Sequence, residues 1–351
     1  MLINGRFLTR PATGVDRFAL ELLQALGRRG ALQRARMVLP EGAALRTAVP
    51  SDLPVQRHGR RSGHAWEQLD LARLAGTDRL VNLCNTAPLA VRRQTVVLHD
   101  AAVMANPANY GRAFRAWYRV MMGTLLRRAD TVVTVSRFSA DELRRHFGVP
   151  ARAIEVLPEG GEHILREPAD TGVLERLALD GRRFVLAVGS QSRNKNFAAV
   201  LAAMDQLDDP DVLLVAVGGG DARIYAGAAL EHPRLRRTGY VTDAQLRALY
   251  EAAACFAFPS FYEGFGLPPL EAMNCGCPVI VSDRASLPEV CQDAALYCNP
   301  DDPATLAAQL RRLLGSSALR ETLAAKGRHR ATQLTWDAAA RDFLDLEAAR
   351  A

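Results

Sequence analysis

The chain has 351 residues, 49% of them hydrophobic and 23% charged, with a net charge of +6. This length exceeds the usual size of a single hydrophobic core and predicts two globular domains. The apolar runs are far too short to cross a bilayer and the N-terminus lacks the apolar segment of a signal peptide, so we expect a cytoplasmic protein. The charge is uneven, because residues 1–165 carry 24 basic and 14 acidic residues (net +10) and residues 166–351 carry 20 and 24 (net −4).

The first half of the chain alternates predicted strands and helices. Short apolar runs predict strands at residues 1–4, 36–39, 80–83, 95–98, 131–135 and 153–157. Apolar residues at helical spacing predict helices at residues 15–26, 66–74, 112–127 and 139–147. The last of these helices opens with Ser139-Ala-Asp-Glu142, which has the form of a capping box. Pro158-Glu-Gly-Gly161 follows the last strand, and its composition predicts a hinge.

The second half repeats this alternation. Strands are predicted at residues 184–188, 212–217, 255–258 and 279–281, and helices at 197–207, 244–254, 303–314, 319–333 and from Thr335 to the end. Thr242-Asp-Ala-Gln245 is a second capping box. Such alternation is typical of an α/β fold in which helices cover both faces of a parallel sheet. We therefore expect domains at residues 1–165 and 166–334, with a terminal helix at 335–351.

Two glutamates flank a predicted helix N-terminus in the stretch from Ala257 to Asp283. The run Cys255–Phe258 predicts a buried strand, and two successive prolines, Pro268 and Pro269, predict the start of a helix. Glu263 precedes this helix and Glu271 lies in its first turn. Open α/β sheets bind their ligands at this end of a strand, so the stretch is a candidate site.

The chemistry of this stretch favours a phosphorylated sugar as the ligand. The free N–H groups of Gly264–Leu267 and the positive end of the helix are suited to phosphate. Because a carboxylate repels phosphate, Glu263 and Glu271 are expected to face neutral hydroxyls, which sugars supply. On spacing alone, Glu271 could equally complement the helix dipole, and Glu263 could be solvated.

The same stretch resembles the E-x7-E signature of the retaining GT-B glycosyltransferases of family 4. The matching residues are Glu263-Gly-Phe-Gly-Leu-Pro-Pro-Leu-Glu271-Ala-Met and then Gly276-Cys-Pro-Val-Ile-Val-Ser-Asp283. The resemblance implies that Glu263 binds hydroxyls of the donor sugar and that Glu271 binds the ribose of the nucleotide. It also implies that the backbone of Gly264, Phe265, Gly266 and Leu267 meets the diphosphate.

The resemblance also implies an architecture. GT-B enzymes have two doubly wound, Rossmann-like domains that face a central cleft. By this resemblance residues 1–165 form the acceptor-binding domain and residues 166–334 the domain that binds the nucleotide sugar. The terminal helix at 335–351 would cross back onto the first domain.

A basic loop follows the strand predicted at residues 184–188. Val188-Gly-Ser190-Gln-Ser-Arg193-Asn-Lys195-Asn196 combines a glycine turn, a helix N-terminus and cations, as an anion site does. The family carries a basic pair here that grips the donor diphosphate. Lys195 matches the family's lysine, whereas Ser190 stands where the family often has arginine, so Arg193 would substitute. An ordinary solvated loop is the alternative.

Two further segments resemble family loops. In Arg10-Pro-Ala-Thr-Gly14-Val-Asp-Arg17, the resemblance places Gly14 against the donor phosphate, while Asp16 and Arg17 could be simple first-turn charges. His99 and Asp100 end a predicted buried strand and could form a general base with its orienting carboxylate. The family implies that such a histidine touches the donor sugar. A hydrogen-bonded turn histidine is the alternative.

The function implied by the resemblance is retaining transfer of a hexose from a nucleoside-diphosphate sugar to a glycan or lipid-linked saccharide in bacterial polysaccharide synthesis. GDP-mannose is the favoured donor, because the N-terminal loop is similar to that of bacterial mannosyltransferases. Another GT-B enzyme, such as a sugar-nucleotide epimerase, is one alternative. A catalytically silent GT-B subunit that binds a partner glycosyltransferase is another.

Cofactors and partners complete the expectations. No D-x-D-like run lies in a suitable loop, and the six dispersed cysteines lack C-x-x-C spacing, so we expect free thiols, no metal and no cofactor. Nucleic acid is not expected, because no motif for it occurs. The helix predicted from Arg112 mixes aromatic and basic residues, which predicts peripheral contact with the inner face of the cell membrane. An ordinary packed helix is the alternative.

Overall fold

The computed structural model describes residues 1–10, 13–150, 154–189, 193–218 and 232–350. It divides into two compact units. The first unit comprises residues 1–159 and the C-terminal segment from Trp336, and the second comprises Gly160–Thr335. Each unit is built on one parallel sheet.

The first unit contains a seven-stranded parallel sheet with the order β3-β2-β1-β4-β5-β6-β7. Its strands are β1 Leu2–Asn4, β2 Arg36–Leu39, β3 Val55–Arg57, β4 Leu80–Asn82, β5 Gln94–Val97, β6 Thr131–Thr134 and β7 Glu155–Val156. Its longer helices are α1 Gly14–Arg28, α5 Arg112–Arg128 and α6 Arg137–Phe147, with short helices α2 Gly63–Ala65, α3 Ala72–Ala75 and α4 Ala102–Ala105. A π-helical segment, Trp66–Leu71, joins α2 to α3.

The second unit contains a six-stranded parallel sheet with the order β10-β9-β8-β11-β12-β13. Its strands are β8 Phe184–Val188, β9 Leu213–Val217, β10 Leu235–Gly239, β11 Cys255–Phe258, β12 Val279–Ser282 and β13 Ala295–Cys298. Its helices are α7 Gly172–Arg176, α8 Phe197–Asp205, α9 Asp243–Ala252, α10 Leu267–Asn274, α11 Leu287–Cys291, α12 Pro303–Leu314 and α13 Ser317–Ala331.

Both sheets reverse their strand order at one point, as doubly wound folds do. In the first unit the reversal lies between β1 and β4, and in the second it lies between β8 and β11. Connections on either side of such a point run to opposite faces of the sheet, which leaves a crevice outside the carboxyl ends of the two strands. Ligands bind in this crevice in open α/β sheets.

The C-terminal helix α14, Trp336–Ala348, belongs to the first unit. Trp336 is buried and packs edge-on against Phe18 of α1, with ring centroids 5.7 Å apart. At the far end of the helix, Glu347 pairs with the guanidinium of Arg79, Nε to Oε2 2.5 Å. Apolar packing at one end and a mostly buried ion pair at the other thus attach this helix to the first unit.

The boundary between the units falls between Glu159 and Gly160, six residues before the expected one. The boundary lies earlier because residues 160–165 pack on the second unit. The imidazole of His163 bonds to Glu271, and Gly161 lies so close to Leu270 that a Cβ there would be 2.7 Å from its Cγ.

Three strands were not predicted, and all three lie at sheet edges. They are β3, β10 and β13. Strand β3 is the sequence Val-Gln-Arg and β10 is Leu-Arg-Arg-Thr-Gly, so neither has the apolar run of a central strand. Edge strands are open to water on one side and tolerate such polar residues.

The predicted start of α6 was wrong. Ser136, not Ser139, is the N-cap, and its Oγ accepts the N–H of Ser139 at 3.0 Å. Ser139 is buried inside the first turn. The second predicted capping box is confirmed, because Thr242 and Gln245 exchange the two bonds that define it.

Candidate active site

The loop between β11 and α10 is held in place by one serine. Ser286 donates its hydroxyl to the carbonyl oxygens of Glu263, at 3.0 Å, and of Phe265, at 2.6 Å. Gly266 then has φ +114°, and a Cβ there would come within 2.8 Å of a Leu287 methyl group. Only glycine readily adopts this positive φ and leaves room for the Leu287 side chain. Gly266 is the N-cap of α10, so the helix begins directly after the loop.

Glu263 and Lys195 form an ion pair at this loop. Lys195 Nζ lies 2.8 Å from Oε1 and 3.0 Å from Oε2 of Glu263, and both side chains are mostly buried. The ammonium also lies 5.0 Å from the centre of the Phe258 ring, within range of a cation–π contact. The sequence led us to expect a glutamate facing neutral hydroxyls, whereas in the structure it faces a cation.

Glu271 is held by two buried donors from distant parts of the chain. His163 Nε2 donates to Oε1 at 2.9 Å, and the Tyr250 hydroxyl donates to Oε2 at 3.3 Å. Burial, and then the charge of Glu271, raise the pKa of Tyr250 well above its usual value, so the phenol keeps its proton. The Glu271 carboxylate is therefore fixed in orientation, with a small part of its side chain still exposed.

Asn196 ties together the loops that follow three strands. It has φ +53° and lies directly before α8. Its Nδ2 donates to the carbonyl oxygen of Pro259 at 3.2 Å and to that of Pro300 at 2.7 Å. The Phe261 N–H donates to the Asn194 carbonyl oxygen at 2.8 Å. These bonds fix the Lys195 loop against the Glu263 loop, so the ion pair rests on a rigid frame.

A pocket of about 430 Å³ opens beside the ion pair, at the strand-order reversal of the second unit. Its lining includes Gly189 at the end of β8, Gly218 at the end of β9 and Phe258 at the end of β11. A side chain at Gly218 would collide with the carbonyl oxygen of Gly189, so the two loops can approach only because Gly218 is glycine. The other lining residues are mostly small or apolar, and the charged ones are Lys195 and Arg237.

The other predicted donor residues are placed as follows. Arg193 begins the short helical turn that ends at Lys195, and its side chain is exposed. Ser190 lies outside the described residues. In the first unit, Gly14 is the exposed first residue of α1, with no atom within 4 Å of where its Cβ would be. Asp16 caps this helix, because its Oδ2 accepts the Thr13 N–H at 2.8 Å.

His99 and Asp100 of the first unit have local partners. His99 is buried, and its Nε2 donates to the Leu83 carbonyl oxygen at 2.9 Å, while Nδ1 lies 3.8 Å from Glu159. Asp100 accepts the N–H of Ala102 at 2.8 Å. These contacts hold both residues within the first unit, and the predicted site role of His99 and Asp100 stays a prediction.

Two site residues were missed by the sequence analysis, His163 and Tyr250. His163 is 108 residues from Glu271 in the chain, and no short-range pattern joins them. Tyr250 lies on α9 at a position that reads as an ordinary core residue. The one available signal was a histidine directly after the predicted hinge.

Comparison with known proteins now assigns the chain to a family. The family described as Glycosyltransferase Family 4 matches residues 12–161, and the one described as Glycosyl transferases group 1 matches residues 175–330. The O-antigen chain mannosyltransferase B of Escherichia coli is 30% identical over 358 residues, which cover 93% of each chain. The chain is a family 4 glycosyltransferase.

Solved structures agree with this assignment at the level of the fold. Sucrose-phosphate synthase from Thermosynechococcus elongatus superimposes on the glycosyltransferase with a TM-score of 0.77 at 21% identity, covering 99% of this chain and 97% of that one. Anabaena HepE in complex with UDP and glucose gives a TM-score of 0.76 at 19% identity, covering 99% and 98%. The predicted α/β fold class, two Rossmann-like domains of the GT-B type, is confirmed.

Replacing His163 of the glycosyltransferase by leucine should destabilise the second unit. The substitution removes the N–H that Glu271 Oε1 accepts and leaves a buried carboxylate short of a donor, which costs about 1–3 kcal/mol. Urea denaturation of the full chain, followed by circular dichroism, measures the change in free energy of unfolding. Tyr250→Phe is the matched control, because it removes only two long contacts, each 3.3 Å, to Glu271 and to the Pro268 carbonyl oxygen, and it should cost less. Equal stability of His163→Leu and wild type would contradict this account.

Proposed function

We propose that the enzyme transfers mannose from GDP-mannose, with retention, to a hydroxyl of a glycan or lipid-linked saccharide in bacterial polysaccharide synthesis. The observation that carries the proposal is the Lys195–Glu263 ion pair, which lies beside a pocket at the strand-order reversal of the second unit. The similarity to an O-antigen chain mannosyltransferase supports mannose as the sugar. The second unit binds the donor and the first binds the acceptor in this proposal.

Lys195 supplies the positive charge that the reaction needs. When the bond to the sugar breaks, negative charge develops on the nucleoside diphosphate. A fixed ammonium group and the N-terminus of α10 stabilise this charge more in the transition state than in the ground state, which raises turnover. Arg193, exposed two residues earlier, adds a second cation, and the backbone at Gly264–Leu267 lies next to the phosphates.

Glu263 and Glu271 have different tasks in this mechanism. Glu263 accepts hydrogen bonds from hydroxyls of the transferred sugar, and its negative charge stabilises the cationic sugar of the transition state. Before the donor binds, Glu263 holds Lys195 in place. Glu271 accepts hydrogen bonds from the ribose hydroxyls, and His163 and Tyr250 keep its carboxylate in the required orientation. The reaction uses no metal and no cofactor.

Substitution of the two glutamates should separate turnover from donor binding. Glu263→Gln removes a charge at the reacting sugar, and we expect turnover to fall by roughly 10²-fold or more. Glu271→Gln should mainly raise the Kd for GDP-mannose. The assay follows GDP release and product formation in EDTA, with UDP- and dTDP-sugars as competing donors. Glu251→Gln, in an exposed pair with Arg247, is the control.

Two outcomes would contradict parts of this account. Near-wild-type turnover of Glu263→Gln would remove that residue from the site. A strict requirement for added Mg²⁺ would overturn the metal-free mechanism. A preference for another nucleotide would change the donor but leave the roles of both glutamates intact.

The chain contains two lysines, which makes Lys195 testable against a matched control. Lys195→Ala should lower turnover by roughly 10²-fold or more, because a charge fixed at the leaving group is lost. Lys326 forms an exposed ion pair with Asp293, 2.8 Å long, and Lys326→Ala should leave turnover unchanged. Steady-state kinetics measure the turnover of both variants against wild type. A loss of stability in Lys195→Ala without a loss of turnover would identify the ion pair as structural.

The proposal also includes contact of the first unit with anionic lipid. Among the described residues, no helix combines the length and apolar character needed to cross a bilayer. The first turns of α5 are instead exposed, and Phe114 and Val120 are 42% and 58% accessible. The Phe114 ring stacks on Tyr118 with centroids 4.3 Å apart. Exposed aromatic and basic side chains on one helix favour the interface of a membrane.

Vesicle co-sedimentation tests this contact. The enzyme should bind phosphatidylglycerol-containing vesicles at low salt and be released at high salt, since each basic residue near the surface contributes about 1 kcal/mol. Phe114→Asp combined with Val120→Asp should abolish binding. Leu165→Asp, an equally exposed apolar residue in the second unit, should not. If the double variant sediments like wild type, α5 does not carry the contact.

A further inference from the structure

A line of three side chains crosses the sheet of the second unit along its pocket. Ala187 of β8 pairs with Ala216 of β9, and Ala216 pairs in turn with Arg237 of β10. Because register partners on neighbouring parallel strands point to the same face of a sheet, the three side chains lie side by side. All three line the pocket. The line ends at Arg237, on the strand at the edge of the sheet.

Small residues separate the two ends of this pocket. Ala187 and Ala216 form its floor along the line of side chains, and Gly189 and Gly218 follow at the ends of β8 and β9. Glycine lets the backbone approach a ligand closely, and an alanine methyl group extends little above the sheet. The floor is therefore made of small residues as far as Arg237, which is exposed.

The two charged residues of the pocket lie at opposite ends of it. The Lys195 ammonium is 5.0 Å from the centre of the Phe258 ring on β11, and the guanidinium carbon of Arg237 is 5.8 Å from the centre of the Phe197 ring at the start of α8. The sheet order is β10-β9-β8-β11, so β10 and β11 are three strand spacings, or about 14 Å, apart. The two cations therefore meet different parts of an elongated ligand.

This separation places Arg237 at the base of the proposed donor rather than at its phosphates. In a nucleoside-diphosphate sugar, the ribose separates the base from the diphosphate. When the diphosphate lies at Lys195, as the proposed function requires, the remainder of the nucleotide extends along the pocket. The base then reaches the end of the pocket that β10 forms, where Arg237 is the charged residue of the lining.

The chemistry of a guanidinium distinguishes guanine from the other bases. Its planar fork donates two hydrogen bonds side by side, and guanine presents two neighbouring acceptors, O6 and N7, that match the fork. On the corresponding edge, thymine offers one acceptor, O4, and adenine offers N7 beside an amino donor. Contact with the Phe197 ring holds the plane of the Arg237 guanidinium in one orientation. An arginine at this end of the pocket therefore favours a guanine nucleotide.

We propose that Arg237 selects the donor by its base, by donating to O6 and N7 of guanine. The proposal rests on the proposed function, because it assigns a specificity-determining residue to the donor of that reaction. It divides the recognition of the donor between two cations. Lys195 serves the diphosphate, which all nucleoside-diphosphate sugars share, and Arg237 serves the base, in which they differ.

Isothermal titration calorimetry of the full-length enzyme with GDP and with UDP tests this assignment. Arg237→Gln should raise the Kd for GDP about tenfold or more, as expected for the loss of one bidentate pair, and leave the Kd for UDP unchanged. Arg236→Gln is the matched control on the same strand. Arg236 pairs with Val215 and so points to the opposite face, and its guanidinium donates to the carbonyl oxygens of Pro233 and Leu235. This control should leave both Kd values unchanged.

A second variant separates the shape of the side chain from its charge. Arg237→Lys keeps the positive charge but loses the planar fork, so it should lose the preference for GDP as the glutamine variant does. Arg237 is exposed on an edge strand, and both variants should fold.

Three results would overturn the proposal. They are a wild type that binds UDP as tightly as GDP, an equal loss of GDP and UDP affinity in Arg237→Gln, and wild-type GDP affinity in Arg237→Lys. The last two would identify Arg237 as a contact to the phosphates or the ribose. Because the titration needs no turnover, it is independent of the proposed function. A wild type that shows the Arg237-dependent preference for GDP but transfers no mannose would overturn the proposed function and support this assignment.

Discussion

The reversal of strand order in the sheet of the second unit is the constraint on which the candidate active site depends. Where β8 and β11 lie side by side, their following loops run to opposite faces, and the backbone groups at their ends remain free. The second unit fills this gap with the Lys195–Glu263 ion pair, which joins the loop after β8 to the loop after β11. The two contacts with Glu263 hold Lys195 at a fixed place between these loops. Because the pair is mostly buried, solvent screens its charges weakly.

Buried carboxylates in the two units follow one physical rule. Glu271 is held by His163 and Tyr250, and Glu67 is held by Asn4, Thr86 and the guanidinium of Arg6. In both cases donors from distant parts of the chain fix the direction of a buried carboxylate. Rigid support matters, because a hydroxyl is recognised by direction as well as by charge. The hydrogen-bonded amides of Asn4, Asn82 and Gln94 behind Glu67 and the His163–Tyr250 pair around Glu271 supply that direction.

Much of this could be predicted from the sequence, and what could not has a physical reason. Central strands such as β8 and β11 are continuous apolar runs, so local patterns were sufficient to predict them. Gly266 and the two prolines shortly after it likewise predict the start of α10. Strands β3 and β10 lie at sheet edges and carry polar residues that local patterns assign to loops. The hydrogen bonds between distant residues could not be predicted from the sequence. Asn4 and Asn82 are 78 residues apart, and His163 and Glu271 are 108 residues apart. The fold brings such pairs together, and no short-range pattern in the sequence marks them.

Each unit has a pocket at its strand-order reversal, and the difference between the two pockets explains why the resemblance to a known family is clearer in the second unit than in the first. In the second unit, the close approach of the loops demands particular glycines and a particular helix start, as at Gly218 and Gly266. These requirements fix residues at set spacings, so they are visible in a sequence. The pocket of the first unit is lined by side chains from β1, the chain just after β4 and the helical segment at residues 63–75, and no fixed spacing in the sequence joins them. Features that depend on glycines and helix starts are therefore easier to predict from a sequence than features that depend on side chains brought together by the fold.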